Sequence, residues 1–356
     1  MKSIPYYLFR GGTSKGAFFF KKDLPKNEKA RNTIISKIMG SPHPYQVDGI
    51  GGGVPNASKI GILSPSKKKG VDLEYIMGQV DINSMEVDTH GDCGNMLTAA
   101  ACCAIEANIV KVQPNYTQVT IYSPKTDSIK RVCVPIKNSK IIYEGSYHID
   151  GVKPLGSPMT VSFYQPSASQ TKAIFPSTKK IDIIDNIPVT LIDCGRALII
   201  AKASDFGLTG NEEISLLEKD KDLNQQLEAF RLQCADRMGI SNPCVSFPRI
   251  TLISKGKSNQ DIFAHYWSNP KHAKVHPAMA MTAAMAIGSC LCIDGTICYT
   301  EKHKLHPTLS EQSICIGHAQ GEVTIKVTAK IAPLMIQSCS FKRTARLLAS
   351  GMVYYT

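Results

Sequence analysis

Two stretches of this chain are apolar on every side of a helix. Residues 95–109 are rich in Ala, Leu and Met without a breaker, and residues 278–291 repeat that composition. A surface helix shows an apolar stripe, whereas a helix apolar all round must be covered on every side. Each stretch lies within a run of short extended segments bounded by Gly, Pro, Asn and Ser, which read as antiparallel strands. Thr98-Ala-Ala-Ala101 and Thr282-Ala-Ala-Met285 form a weak internal echo. One central helix wrapped by strands, built twice, explains both runs with a single α+β unit. Ala-rich core helices also look alike by chance, so the echo by itself leaves the duplication open.

The rest of the chain is read around these helices. Segments 6–10 and 17–20 flank the turn 11–16, and 30–39 reads as a short helix stopped by Gly40-Ser41-Pro42. Strands are expected at 59–63, 74–80, 81–87, 119–122, 130–135 and 141–147. A Ser-, Lys-, Pro- and Asp-containing stretch, 166–188, reads as a crossing. The second series has strands at 189–192, 197–201, 250–254, 262–267, 314–316 and 322–328, and one or two helices within 212–238. Residues 341–348 read as a short C-terminal helix.

With 356 residues, the chain has room for two domains with real cores. Its formal charge of +12 favours anionic partners. The lysines occur in short runs such as Lys67-Lys68-Lys69, and there is one Trp. That pattern lacks the basic stripe with interleaved aromatics of a nucleic-acid binder, and leaves acidic lipid, polycarboxylate metabolites or a merely basic soluble surface open. No apolar run reaches the ~18 residues of a membrane helix. The first ten residues have too short an apolar core for a signal peptide, so a cytoplasmic location and free thiols are expected for the twelve cysteines. Their spacings do not form a metal site: Cys102-Cys103 are adjacent, and Cys290-Leu-Cys292 lacks a second pair.

One cysteine differs. Cys93 lies in Asp92-Cys93-Gly94-Asn95, where loop becomes helix. Unpaired amides at a helix N-terminus lower a thiol pKa and can hold a carboxylate, and Gly94 permits close approach. Such a place suits proton removal from carbon beside a carboxylate. A buried structural cysteine beside an aspartate cap fits the same residues. Lys59 ends the loop Gly51-Gly-Gly-Val-Pro-Asn-Ala-Ser-Lys59 and enters an apolar strand. Desolvation there would make its amine a proton carrier, although a strand-end lysine reaching water is the plainer reading. The turn 11–16 sets Thr13, Ser14 and Lys15 beside exposed backbone able to cradle an anion, or is simply a hairpin turn. Walker, G-x-G-x-x-G, H-E-x-x-H and G-x-S-x-G patterns are absent.

The motifs become specific as a set. Arg10-Gly-Gly-Thr-Ser-Lys-Gly16, Gly40-Ser-Pro42, Gln46-Val-Asp-Gly-Ile-Gly-Gly52, Ser58-Lys59, Asp92-Cys-Gly-Asn-Met96, Pro188-Val-Thr-Leu-Ile-Asp193, Gly207-Leu-Thr-Gly210 and Arg343-Thr-Ala-Arg346 occur in order. In order and spacing, from about residue 4 to 353, they resemble the PrpF family. That family contains 2-methylaconitate cis-trans isomerases, 4-oxalomesaconate tautomerases, methylitaconate isomerases and aconitate isomerases. The resemblance implies a diaminopimelate-epimerase-like α+β fold of two pseudo-symmetric halves, 1–183 and 184–337. A C-terminal helix, 338–356, would pack back on the first half, and the active site would lie in the cleft between the halves. It implies no metal, flavin or nucleotide cofactor. It also implies Lys59 and Cys93 as the catalytic pair, and Thr13, Ser14, Lys15, Ser58, Gly94, Asn95, His318 and Arg343 as substrate contacts.

Three departures stand out. Asp92 replaces the family's Asn, His318-Ala-Gln-Gly321 replaces its H-P-x-G, and Thr282-Ala-Ala284 replaces T-G-A. The Asp92 carboxylate could raise the Cys93 pKa or cap the helix. Aligning Thr98 with Thr282 sets Pro277 opposite Cys93, so the second thiol of two-cysteine racemases is absent and allylic proton transfer is favoured. The expected activity is double-bond movement or cis-trans isomerisation of a small unsaturated di- or tricarboxylate. Amino-acid racemisation or epimerisation and non-catalytic carboxylate binding are the alternatives. Self-association into a homo-oligomer is left open.

Overall fold

The computed structural model describes residues 1–89, 91–243, 247–269 and 272–356. The chain divides into two units, 1–162 with 342–356, and 163–341.

The first unit begins with β1 (Lys2–Gly11), β2 (Ser14–Phe20), α1 (Glu28–Met39), β3 (Lys59–Pro65), β4 (Leu73–Val80) and β5 (Val87–Asp88). It continues with α2 (Gly94–Glu106), β6 (Tyr116–Ser123), β7 (Ser128–Lys137), β8 (Lys140–Ile141), β9 (Tyr147–Ile149), β10 (Val152–Gly156) and β11 (Met159–Tyr164), whose last residues enter the second unit. The Asn27 side chain caps α1 by accepting from Ala30 N–H at 2.9 Å, and Gly40 ends it in the left-handed conformation at φ 83°. From Gly94 through Ile105, every residue of α2 except Asn95 is buried. Strands β1, β2, β3, β4 and β7 pack around this helix.

In the second unit come β12 (Asp182–Ile184), β13 (Ile187–Asp193), β14 (Ala197–Lys202), α3 (Ile214–Lys219), α4 (Lys221–Arg237), β15 (Arg249–Lys255) and β16 (Ile262–Asn269). After β17 (Lys274–Val275) follow α5 (Met281–Cys292), β18 (Ser310–His318), β19 (Gly321–Ile331) and β20 (Leu334–Arg343). The chain returns to the first unit for β21 (Ala345–Tyr355). All of α5 is buried, with β13, β14, β18 and β19 packed on it.

Strand pairing shows the duplication directly. In the first unit β1/β2, β3/β4 and β6/β7 are antiparallel, joined by parallel β2/β3 and β4/β6. In the second, β13/β14, β15/β16 and β18/β19 are antiparallel, joined by parallel β14/β15 and β16/β18. Even the outer antiparallel strands correspond, β21 on β1 and β12 on β13. Helix α1 fills the β2–β3 crossover as α3 and α4 fill the β14–β15 crossover. The buried helices α2 and α5 fill the other two. Parallel neighbours require such crossovers, so the helices and the sheet order are one constraint.

Three expectations are corrected. Residues 338–356 are not helical: β20 and β21 occupy them. Along β21, Ala345, Leu347 and Ala349 are more covered than Arg346, Leu348 and Ser350, a period of two. The ladder to β1, from Gly11↔Ala345 to Lys2↔Tyr355, outweighs the helix propensity of Ala-Arg-Leu-Leu. The boundary lies within β11, at 162/163, rather than at 183/184. The polar stretch read as a crossing is tied to Asp193, whose carboxylate accepts from Ser169 Oγ, Thr171 Oγ1 and the Gln170 and Thr171 amides at 2.6–2.9 Å. Helix start to helix start, Ala280 rather than Pro277 corresponds to Cys93. Neither is a thiol.

Candidate active site

The β1–β2 turn and the first turn of α2 are built against each other. A Cβ on Gly11 would strike the Asn95 carbonyl oxygen, and one on Gly12 would strike the Asn95 side chain and crowd Arg343. Gly12 also has φ 50°, a conformation open to glycine. Its amide is not left for an anion, because it donates to Thr344 O at 2.8 Å. Arg10 fixes the same turn from below, donating through one nitrogen to Gly12 O, Thr344 O and Thr344 Oγ1 at 3.0–3.1 Å. The glycines are therefore required by close packing, and the turn presents side chains more than backbone.

Those side chains converge on the helix start. Asn95 Nδ2 donates to Thr13 Oγ1 at 2.9 Å, and Asn95 Oδ1 accepts from Arg343 Nε at 3.0 Å. Arg343 is 8% exposed, and burial pushes its guanidinium down to about 10, with Tyr147 and Cys93 pulling the other way. Cys93 is the N-cap of α2, in extended conformation, and makes no side-chain capping bond. The amides of the first turn therefore have neither an intrahelical partner nor a capping side chain. Ser14 Oγ lies 4.0 Å from Cys93 Sγ. Thr13, Ser14, Cys93, Asn95 and Arg343 thus form one continuous cluster.

Lys59 stands on the neighbouring strand. It opens β3, opposite Gly16 of β2 and Gln79 of β4. Gly16 is packed between Met96 of α2 and the Lys59 carbonyl, which sets the start of β3 beside the first turn of the helix. Lys59 Nζ donates to Gln79 Oε1 at 2.5 Å, and Gln79 Nε2 donates to Pro55 O and Ser58 O at 2.9 and 3.0 Å. The amine is therefore oriented by a side chain that is itself anchored. Lys15 is half-buried and lies beside Gly52.

Ser58 and Asp92 differ from expectation. Ser58 is 0% exposed, and its hydroxyl accepts from Gln46 Nε2 at 2.7 Å. Gln46 also bonds Ser41 Oγ and the Gly53 amide, so the Ser58 hydroxyl braces the loop that delivers Lys59. Asp92 does not cap the helix, since Cys93 holds that position. The Asp92 carboxylate turns away to the β6–β7 hairpin, where it meets Ser123, Thr126 and Lys130. His318 belongs to the second unit, buried at the end of β18 opposite Gly321. Sequence reasoning missed Gln79, Gln46, Arg10 and Lys130 as supports. The Lys59↔Gln79 register is the relevant signal, and register is fixed by pairing rather than by local sequence. Among the described residues no three His, Cys, Asp or Glu side chains gather as a metal site would require.

Comparison with known proteins agrees with this architecture. The PrpF family profile, described as "PrpF protein", matches residues 1–356. The "4-oxalomesaconate tautomerase" of Pseudomonas putida is 31% identical over 353 residues, 98% of this chain and 95% of that protein. The crystal structure of a "Methylitaconate-delta-isomerase" superposes with a TM-score of 0.84 at 28% identity, over 99% of this chain and 96% of that one. A hydroxyproline epimerase from Agrobacterium vitis gives a TM-score of 0.56 at 10% identity, covering 99% and 92% of the two chains. This last likeness is one of fold: the chain has the α+β, diaminopimelate-epimerase-like fold.

Proposed function

The chain belongs to the PrpF family, and from that premise we propose that it is an isomerase of a small unsaturated di- or tricarboxylate, acting by allylic proton transfer. The observation that supports this most is the uncapped start of α2, with a thiol at the N-cap and a buried arginine beside it. A helix start with free amides holds a carboxylate. Arg343, Lys15 and Lys59 add positive charge, while Lys130 neutralises Asp92. Such a site suits a polyanion.

In this reading one carboxylate of the acid is held by the Gly94 and Asn95 amides with Thr13, Ser14 and Arg343. Lys59 and Cys93 are the two proton carriers. Removal of an allylic proton sends the electron pair into the conjugated carboxylate as a dienolate. The α2 amides and the cations stabilise that negative charge. Return of a proton at another carbon, or after rotation, gives the isomer with no net change in atoms or electrons. The comparison proteins support the substrate class by their names, which are those of unsaturated-acid isomerases.

The test is proton NMR in D2O with a panel of aconitate-type acids. Deuterium is expected to enter an allylic position as the double bond moves. Cys93→Ser and Lys59→Ala are each expected to lose at least about 100-fold in rate while remaining folded. Near-wild-type turnover in either variant removes that residue from the mechanism, and binding without exchange makes the protein a carboxylate binder. Racemase chemistry gains nothing from the second unit. The residue corresponding to Cys93 is Ala280, and Cys290 and Cys292 are fully buried at the far end of α5.

A further inference from the structure

Asp92 is joined to Cys93 through the backbone, yet its side chain is committed elsewhere. Oδ1 accepts from Ser123 Oγ at 3.0 Å, Oδ2 accepts from Thr126 Oγ1 at 2.7 Å, and Oδ2 is ion-paired with Lys130 Nζ. Lys130 also donates to Ser128 Oγ at 2.5 Å and Thr126 Oγ1 at 3.2 Å. The Lys130 side chain is 1% exposed and that of Asp92 8%. Removing two charges from water is expensive, and a buried ion pair seldom repays that cost in stability.

The fold itself does not demand the pair. In the second unit the same helix entry is tied to the corresponding hairpin by a backbone bond, Gln320 N–H to Pro277 O at 3.1 Å. The residue before the N-cap there is the uncharged Met279. The first unit alone carries a thiol at this position, and it alone places a carboxylate next to it. An uncompensated carboxylate at that distance would oppose any negative charge on sulfur.

We propose that Lys130 is a positioning residue that draws the Asp92 carboxylate onto the β6–β7 hairpin and cancels its charge, so that Cys93 meets the positive end of α2 without an opposing anion. The inference rests on reading Cys93 as a proton carrier. The other groups near the thiol are Ser14 on β2, Arg343 at the end of β20 and the buried Tyr75 on β4. Lys130 therefore acts through Asp92 and not by contact with substrate.

The experiment compares Lys130→Gln with the double variant Asp92→Asn/Lys130→Gln in the full chain. Both lack the ammonium, and they differ in the Asp92 charge. The readout is the rate of iodoacetamide alkylation at Cys93, resolved by peptide mass spectrometry, on protein shown to be folded by circular dichroism. Lys130→Gln is expected to alkylate at least about fivefold more slowly than wild type, and the double variant to recover to within about twofold. Once an acid is found that wild type turns over, kcat is expected to follow the same order with KM little changed. A folded Lys130→Gln with the wild-type rate, or a double variant as slow as the single, overturns the proposal. If Lys130→Gln does not fold, the double variant decides: a wild-type rate supports charge cancellation and a fivefold loss refutes it. Alkylation needs no substrate, so failure of the isomerase reading and failure of this pair give separate results.

Discussion

Asn95 holds two groups from distant parts of the chain at once, Thr13 through its amide nitrogen and Arg343 through its oxygen. Asn95→Ala strips a buried guanidinium of a partner, and is expected to cost about 1–3 kcal/mol in urea unfolding. It should also raise KM for the acid by more than it lowers kcat, because Arg343 loses its orientation and the two proton carriers do not. A second residue-level prediction concerns pH. His265 on β16 is buried between Phe263 and Trp267, and burial lowers its pKa, with Glu212 pulling upward. The unfolded chain therefore binds this proton more readily than the folded one. The His265 contribution is present above the unfolded value of about 6.5 and is lost as pH falls through the lower folded value. Melting temperature is expected to drop from pH 7 toward pH 5, and His265→Gln should flatten that part of the curve. At this scale, Cys93 and Lys59 were singled out as candidates by their places at a helix start and a strand mouth together with the family resemblance, whereas Gln79, Gln46 and Lys130 were not. Their roles exist only through cross-strand and loop contacts.

Elements set how tightly those residues are held. The β1–β2 turn reaches the helix because Gly11 and Gly12 have no side chains to block it. Gly12→Ala would bring both positive-φ strain and a clash with Asn95. Its expected effect is about 1–3 kcal/mol lower stability by chemical denaturation, together with loss of isomerase rate from displacement of Thr13 and Ser14. At the other end of the chain, β21 covers all ten residues of β1. Truncation after Thr344 would leave β1 without that antiparallel partner, and the shortened chain is expected to be recovered unfolded or aggregated, as gel filtration and circular dichroism would show. The buried helices were readable because an apolar surface all round has only one stable environment. The last strand was not, since Ala-Arg-Leu-Leu carries helical propensity and its partner lies at the opposite end of the sequence.

For the molecule as a whole, the matching strand orders of the two units support descent from one repeated design. The thiol, the amine and the arginine all belong to the first unit, at Cys93, Lys59 and Arg343. If that cluster takes a polycarboxylate, saturated tricarboxylates should stabilise the native protein without being turned over. At 100 times the dissociation constant the gain is about 2.7 kcal/mol, a rise of a few degrees in melting temperature. The rise should shrink with added salt and be largely absent in Arg343→Met. An equal shift in that variant would place the bound acid elsewhere.

The sequence by itself determined the α+β class, the buried helices and the strand-rich surroundings, because these follow from apolar periodicity and breakers acting over a few residues. Tertiary structure alone decided that the C-terminal segment is a strand, that Ser58 is a brace, that Cys93 and not Asp92 begins α2, and that Lys130 absorbs the Asp92 charge. Each of these depends on a partner twelve to more than three hundred residues away, and pairing and desolvation at that range leave no mark in local sequence.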